Sequence, residues 1–154
     1  MCTRADHTIH RARHHFGWDN AIAPVMHVEP GARLTFECLD AAGGHFTPQS
    51  TVADIATLAP ETINPVTGPV FVDGAEPGDV LKVTIEAFEP SGFGWTANIP
   101  GFGLLADQFP DPALHLWRYD ATAREPALFG ANARVPLKPF AGTIGVAPAA
   151  CLLY

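Results

Sequence analysis

Glu37 and Asp40 lie within the stretch FECLDAAGGH (36–45), and together they set the first chemical question. Two carboxylates at the end of a strand, followed by glycines that permit close backbone approach, can hold a cation or aim a water molecule. The same letters also read as an Asp-initiated turn with flexible glycines behind it, and the local pattern leaves both readings open. A second polar group sits in NPVTGPVFVDGAEPGDVLKVTI (64–85). Asn64 before Pro65 and Thr67 before Gly68 resemble a rigid loop presenting an amide and a hydroxyl. Asp73, Glu76 and Asp79 stand beside glycine and proline, where acids commonly form turns, and Glu76 reads either way.

Other reactive side chains offer less. His7, His10, His14 and His15 are spaced closely enough to suggest transition-metal chelation. On a strand, however, His14 and His15 point to opposite faces, and the next carboxylate is Asp19, so the run reads as a polar first strand. Ser50 and Ser91 are the sole serines, and neither lies in a GxSxG elbow. Cys38 falls on the apolar side of its alternation, a poor place for a thiol nucleophile. No phosphate loop is present, and no GxGxxG follows a strand.

The elements that must carry these residues are mostly strands. ARLTFECLD (32–40) alternates, with Leu34, Phe36 and Cys38 on one face and Arg33, Thr35 and Glu37 on the other. DVLKVTIEAFEP (79–90) repeats the pattern, predicting Leu81, Val83, Ile85 and Ala87 inward. HLWRYD (115–120) and GTIGVAP (142–148) are shorter strand candidates, and HTIHRARHHFGWD (7–19) is a weaker one. EPGA and EPGD precede the two alternating runs and predict type II corners, with proline fixing φ and glycine taking the positive φ. STVADIATLAP predicts one helix, capped by Ser50 or Thr51 and stopped by Pro60; GLLADQF predicts a further turn. GFGWTANIPGFGLLAD (92–107) interleaves glycine with aromatics and reads as a loop wall lining a pocket or a tight corner. The expected fold is mainly β, a sandwich or partial barrel with Gly/Pro-rich turns and one short helix.

Composition bounds the partners. The 154 residues, 47% hydrophobic and 16% charged, suit one globular domain. A net charge of −7 repels phosphate backbones, which argues against nucleic acid. No run of apolar residues is long enough to span a membrane, and the opening residues contain no apolar signal core. Cys2, Cys38 and Cys151 are odd in number and form no CxxC pair, a usage that fits a reducing cytoplasm.

Taken in order, HHFGWDNAIAPV, EPGARLTFECLDAAGGH, STVADI, NPVTGPVFVDGAEPGDVLKVTI, GFGWTANIPGFGLLAD, ALHLWRYD and PLKPFAGTIGVAPA resemble the acetamidase/formamidase family of amide hydrolases, closest to its formamidase branch. The resemblance covers residues 1–149. It implies an amidase acting on short linear amides such as formamide or acetamide. It also implies that the 64–85 segment is a rigid corner shaping the amide pocket, with Asn64 and Thr67 as polar contributors and Glu76 beside them. With no suitable serine or cysteine, the implied chemistry is metal- or carboxylate-assisted. Glu37 and Asp40 are then the acidic catalytic contributors, while Asn64, Thr67 and Glu76 meet the substrate. A divalent zinc or calcium ion is the expected cofactor, with Asp40 and His45 as the candidate ligands and no organic cofactor. A homodimer, a small amide substrate and a cytoplasmic setting complete the expectation.

Two departures from the family pattern stand out. Cys38 and His45 replace Thr and Gln of FETLDA.GGQ, which adds a titratable group at the loop edge. Family chains are also about twice this long and continue into HGGNMD-like and GD.H..QGDGE-like motifs, whereas residues 150–154, ACLLY, stand outside the resemblance. The chain is therefore expected to correspond to the N-terminal half of the family fold and to carry part of a site. The alternative is a catalytically incomplete β-domain that binds a ligand or self-associates.

Overall fold

The computed structural model describes residues 7–122 and 127–148. The described residues are mainly extended, with almost no helix, and no barrel closes. The chain divides into two compact units. One comprises Met1–Gly44, Pro60–Thr84 and Gly142–Tyr154; the other comprises His45–Ala59 and Ile85–Ala141.

The first unit holds six short strands: β1 (His7–Ile9), β2 (His14–His15), β3 (Met26–Val28), β4 (Leu34–Phe36), β5 (Val66–Thr67) and β6 (Val70–Val72). They pair as three two-stranded ladders, β1 with β4 and β3 with β6 in parallel, β2 with β5 antiparallel. Ile9, Val28, Ala42 and Val66 are its buried apolar residues. The corner before β4 forms as its letters predict: Gly31 takes φ +89° and the Ala32 N–H donates to the Glu29 carbonyl at 3.2 Å. Two sequence blocks far apart also meet here. The Trp18 ring lies so close to Gly145 that a Cβ there would sit 3.1 Å from Cζ2, and the Asn20 N–H donates to the Pro148 carbonyl at 2.9 Å.

Several expectations are corrected. The strand predicted over 32–40 contracts to Leu34–Phe36, so the alternation stops before Cys38, which is exposed rather than inward. Cys2 and Cys151 lie outside the described residues. Residues 79–90 belong to no strand, and 79–89 are exposed throughout, because the alternation finds no ladder there. Residues 142–148 likewise form no strand.

The second unit contains two antiparallel hairpins, β7 (Phe93–Asn98) with β8 (Ala113–Arg118), and β9 (Ala127–Phe129) with β10 (Ala133–Val135). The stretch read as a glycine–aromatic loop is thus a strand in its first half. Gly94 pairs with Trp117 across the ladder, and a Cβ there would reach only ordinary contact with that side chain, 3.8 Å from its Cβ. The Trp117 indole N–H donates to Thr96 Oγ1 at 2.8 Å, and Trp117 stacks on Phe129. The connection from β7 to β8 is clamped by the Asn98 side-chain amide, which donates to the carbonyls of Phe109 (2.8 Å) and Asp111 (2.6 Å).

The expected helix is present as a 3-10 helix, Val52–Thr57, followed by a single turn at Pro60–Thr62. The Asp54 carboxylate accepts from the Thr51 N–H at 2.6 Å, and Ile55 is buried. Six residues between a cap and an approaching proline favour the tighter i to i+3 pattern over a longer α-helix. Phe46, 2% exposed, packs on Trp95 with ring centroids 4.6 Å apart. No described helix is long and apolar enough to cross a membrane.

Candidate active site

The parallel register of β1 and β4 pairs Ile9 with Phe36, so the next residues on each strand, His10 and Glu37, leave the ladder side by side. The Glu37 N–H donates to the Ile9 carbonyl at 2.9 Å, which fixes the backbone there. The Glu37 carboxylate then accepts from His10 Nδ1 at 3.1 Å and from the Arg11 backbone N–H at 3.4 Å. The His10 hydrogen bond, with the Arg11 N–H second, holds the Glu37 carboxyl below its ordinary value. Because a carboxylate only accepts, the His10 ring presents its proton at Nδ1 in this contact.

Thr67 reaches the same place from β5, its Oγ1 donating to the Glu37 carbonyl at 2.9 Å. β5 lies against β2, pairing Thr67 with His14, whose Nδ1 bonds the Arg11 carbonyl at 2.8 Å. A tight turn, Arg13 N–H to His10 carbonyl at 2.8 Å, folds β2 back toward β1. His10, His14, Glu37 and Thr67 are therefore tied together by hydrogen bonds and strand pairing between three segments of sequence.

Asp40 adopts the turn role that its letters also allowed. Its Oδ1 accepts from the Ala42 N–H at 2.8 Å and its carbonyl accepts from the Gly43 N–H at 2.9 Å. Gly43 takes φ +64°, and a Cβ there would meet the Thr62 carbonyl at 3.2 Å, so the loop needs glycine for close approach. Asn64, at φ +54°, donates its N–H to the Ala41 carbonyl at 2.8 Å. The Asp40 loop and the Asn64–Thr67 corner are thus stitched together by Asn64 to Ala41 and Thr67 to Glu37. Glu76 sits apart in its own turn: its N–H donates to Asp79 Oδ2 at 2.9 Å, and the Asp79 N–H returns to the Glu76 carbonyl at 3.0 Å.

His45 belongs to the second unit and serves the 3-10 helix. Its Nε2 donates to the Asp54 carbonyl at 2.8 Å, and the ring meets Phe46 edge-on at 4.9 Å. Among the described residues no group of three His, Cys, Asp or Glu side chains comes together to hold a metal ion. Neither Asp40 nor His45 belongs to such a group, and the two residues lie in different units.

His10 stands in the run whose letters predict a polar first strand. Its own letters carried no sign of Glu37, since the contact arises from a parallel pairing between distant strands. A second imidazole–carboxylate contact has the same origin: His27 on β3 bonds Asp73, just beyond β6, at 3.1 Å. Its ring packs against Phe71 at 4.9 Å.

The sequence profile of the Acetamidase/Formamidase family matches residues 3–154. Among curated relatives, a formamidase of Methylophilus methylotrophus is 27% identical over 144 residues, 90% of this chain and 34% of that protein. An acetamidase of Mycolicibacterium smegmatis is 29% identical over 118 residues, 68% of this chain and 29% of that protein. Among solved structures, a predicted acetamidase/formamidase from the thermophile Thermoanaerobacter tengcongensis superposes with a TM-score of 0.82 at 30% identity, over 92% of this chain and 46% of that one. A gamma lactamase from Delftia acidovorans gives a TM-score of 0.62 at 26% identity, over 78% of this chain and 34% of that one. The chain spans about a third of the length of the curated relatives it matches.

Proposed function

The chain belongs to the acetamidase/formamidase family, and from that premise we propose that it forms part of an amide hydrolase converting short linear amides to carboxylate and ammonia. The observation that carries the reading is the family match along 3–154, with formamidase and acetamidase among the relatives' names. The end of β4 is its chemical focus. Glu37 is the carboxylate held ionised there, Asp40 shapes the adjoining loop, and Asn64 and Thr67 form the corner beside them. Glu76 is carried as a further substrate contact by the family resemblance alone, its hydrogen bonds lying within its own turn. The hydrogen bonds joining 37 to 67 and 41 to 64 support this grouping. Among the described residues no three His, Cys, Asp or Glu side chains are gathered to hold the proposed zinc or calcium ion. The setting proposed is cytoplasmic and homodimeric.

A second reading is favoured by one specific observation. Val80 (94% exposed), Val83 (65%) and Ile85 (51%) lie open on a segment with strand alternation. Such a segment invites pairing with another chain. In this reading the chain is a β-domain that self-associates or binds ligand without turnover.

Ammonia release from formamide and acetamide by the purified chain, with and without added zinc or calcium, tests the two. Losing one preorganised transition-state donor typically costs about 10²–10³ in rate. The chain spans 34% of the Methylophilus formamidase, so its turnover should fall below that relative's by at least such a factor. Measurable, saturable release supports the amidase reading. No release, together with concentration-dependent self-association in sedimentation, supports the second.

A further inference from the structure

We propose that His10 is the base of this site, presenting Nε2 to water, and that Glu37 is the residue that positions it. The inference rests on the amide-hydrolase reading for its substrate and on independent geometry for its residues. Glu37 Oε2 lies 3.1 Å from His10 Nδ1, which places a proton on Nδ1, so that in the neutral ring the lone pair is on Nε2. Both side chains are accessible, 68% exposed for His10 and 45% for Glu37, so water and a small amide can reach Nε2. Glu37 is itself braced. Its N–H bonds the Ile9 carbonyl, its carbonyl accepts from Thr67 Oγ1, and its carboxylate takes a further N–H from Arg11. A base oriented by a braced carboxylate is the arrangement that fixes one tautomer and stabilises the imidazolium formed on proton uptake.

The step balances without any redox partner. His10 Nε2 removes a proton from water as the water oxygen bonds the amide carbon, and the carbonyl π pair moves to oxygen. On collapse the C–N bond breaks with its electron pair on nitrogen, and that nitrogen takes the proton from Nε2. The products are a carboxylic acid and ammonia, which share a proton according to the pH, and His10 returns to its starting tautomer. His27 is the internal comparison: it too bonds a carboxylate and is 60% exposed, and it differs in packing its ring on Phe71.

The test uses the full chain and p-nitrophenyl acetate, an activated ester whose cleavage reads the imidazole without requiring a complete amide pocket. Release of p-nitrophenolate should fall at least roughly tenfold in His10→Gln and stay unchanged in His27→Gln. In Glu37→Gln the rate at pH 7 should fall, because the ring loses the acceptor that holds its proton on Nδ1; Glu37→Asp should restore part of it. Long-range ¹H–¹⁵N NMR should show the neutral His10 ring of the wild-type chain protonated at Nδ1 and unprotonated at Nε2, a preference that Glu37→Gln weakens and Glu37→Asp keeps. Ester cleavage no faster than that of free imidazole, a rate indifferent to His10→Gln, or an Nε2–H tautomer in the neutral ring would each overturn the proposal. Failure of the amidase reading has a different signature: His10-dependent ester cleavage with no ammonia released from any short amide.

Discussion

Two segments of this chain start from the same Glu-Pro-Gly corner and end differently. At Glu29-Pro30-Gly31 and at Glu76-Pro77-Gly78 the glycine takes positive φ (+89° and +105°), and the N–H after it returns to the glutamate carbonyl. Each corner releases an alternating run, 32–40 and 79–90. The first run becomes β4 against β1, and its end carries Glu37 into contact with His10. The second forms no strand, and its apolar positions stay open to solvent. Alternation therefore encodes a run that can join a sheet, while the partner strand decides whether it does.

The largest expected contrast is in hydrogen exchange. The Glu37 and Asp73 amides have backbone acceptors on paired strands, Ile9 and Val28 respectively. They should exchange about a hundredfold more slowly than the amides of Val83 and Thr84, a difference of about 2.7 kcal/mol in opening free energy. Equal protection in the two segments would mean that the second run has found a ladder in solution, which is the outcome the self-association reading predicts at high protein concentration.

Core substitutions give the next contrast. Ile9, 2% exposed, pairs with Phe36 of the first segment, and Ile9→Ala should cost about 2–4 kcal/mol in urea unfolding. Val83, 65% exposed in the second, should tolerate alanine within about 0.5 kcal/mol. A large loss at Val83 would show that its side chain is covered in the dissolved protein.

The corners themselves are closer to equal. A Cβ at Gly31 or Gly78 would meet nothing within 4 Å, so alanine at either place bears only the cost of positive φ. That cost is about 1–2 kcal/mol per residue. Gly31→Ala should show it in full, because β3 and β4 on either side are both paired. Gly78→Ala should show less, since the run that follows can relax. Equal losses would imply that residues 79–90 are held as firmly as β4.

These contrasts also explain what was legible in the letters. Turn chemistry is local, so Pro30-Gly31 and Pro77-Gly78 announce their corners, and Thr51 with Asp54 announces a helical start. Register is not local. Nothing near His10 points to Glu37, because their contact depends on β1 and β4 aligning in parallel, and nothing near Gly94 points to its pairing with Trp117. Cys38 misleads for the same reason: the alternation continues through it, but the ladder ends at Phe36. Asp40 is legible only as two alternatives, and its Oδ1 contact with the Ala42 N–H accounts for the turn one.

The smallest expected effect concerns what anchors the end of the first segment. The Glu37 carboxyl is held below the ordinary 4.5 by the His10 hydrogen bond first and the Arg11 N–H second. A carboxyl whose value is depressed in the folded state adds stability above its unfolded value and loses it as pH falls through the folded one. The contribution should therefore be constant at neutral pH and decline below about pH 4.5 as the unfolded chain, and then the folded one, takes up the proton. The group is exposed, so solvent screening keeps the effect small. Urea midpoints of the wild type and Glu37→Gln, compared from pH 7 down to pH 3, should differ by a fixed amount above pH 5.5 and converge as the pH drops. A gap that stays constant to pH 3 would mean that the Thr67 and Ile9 backbone contacts, and not the carboxylate, hold this end of β4.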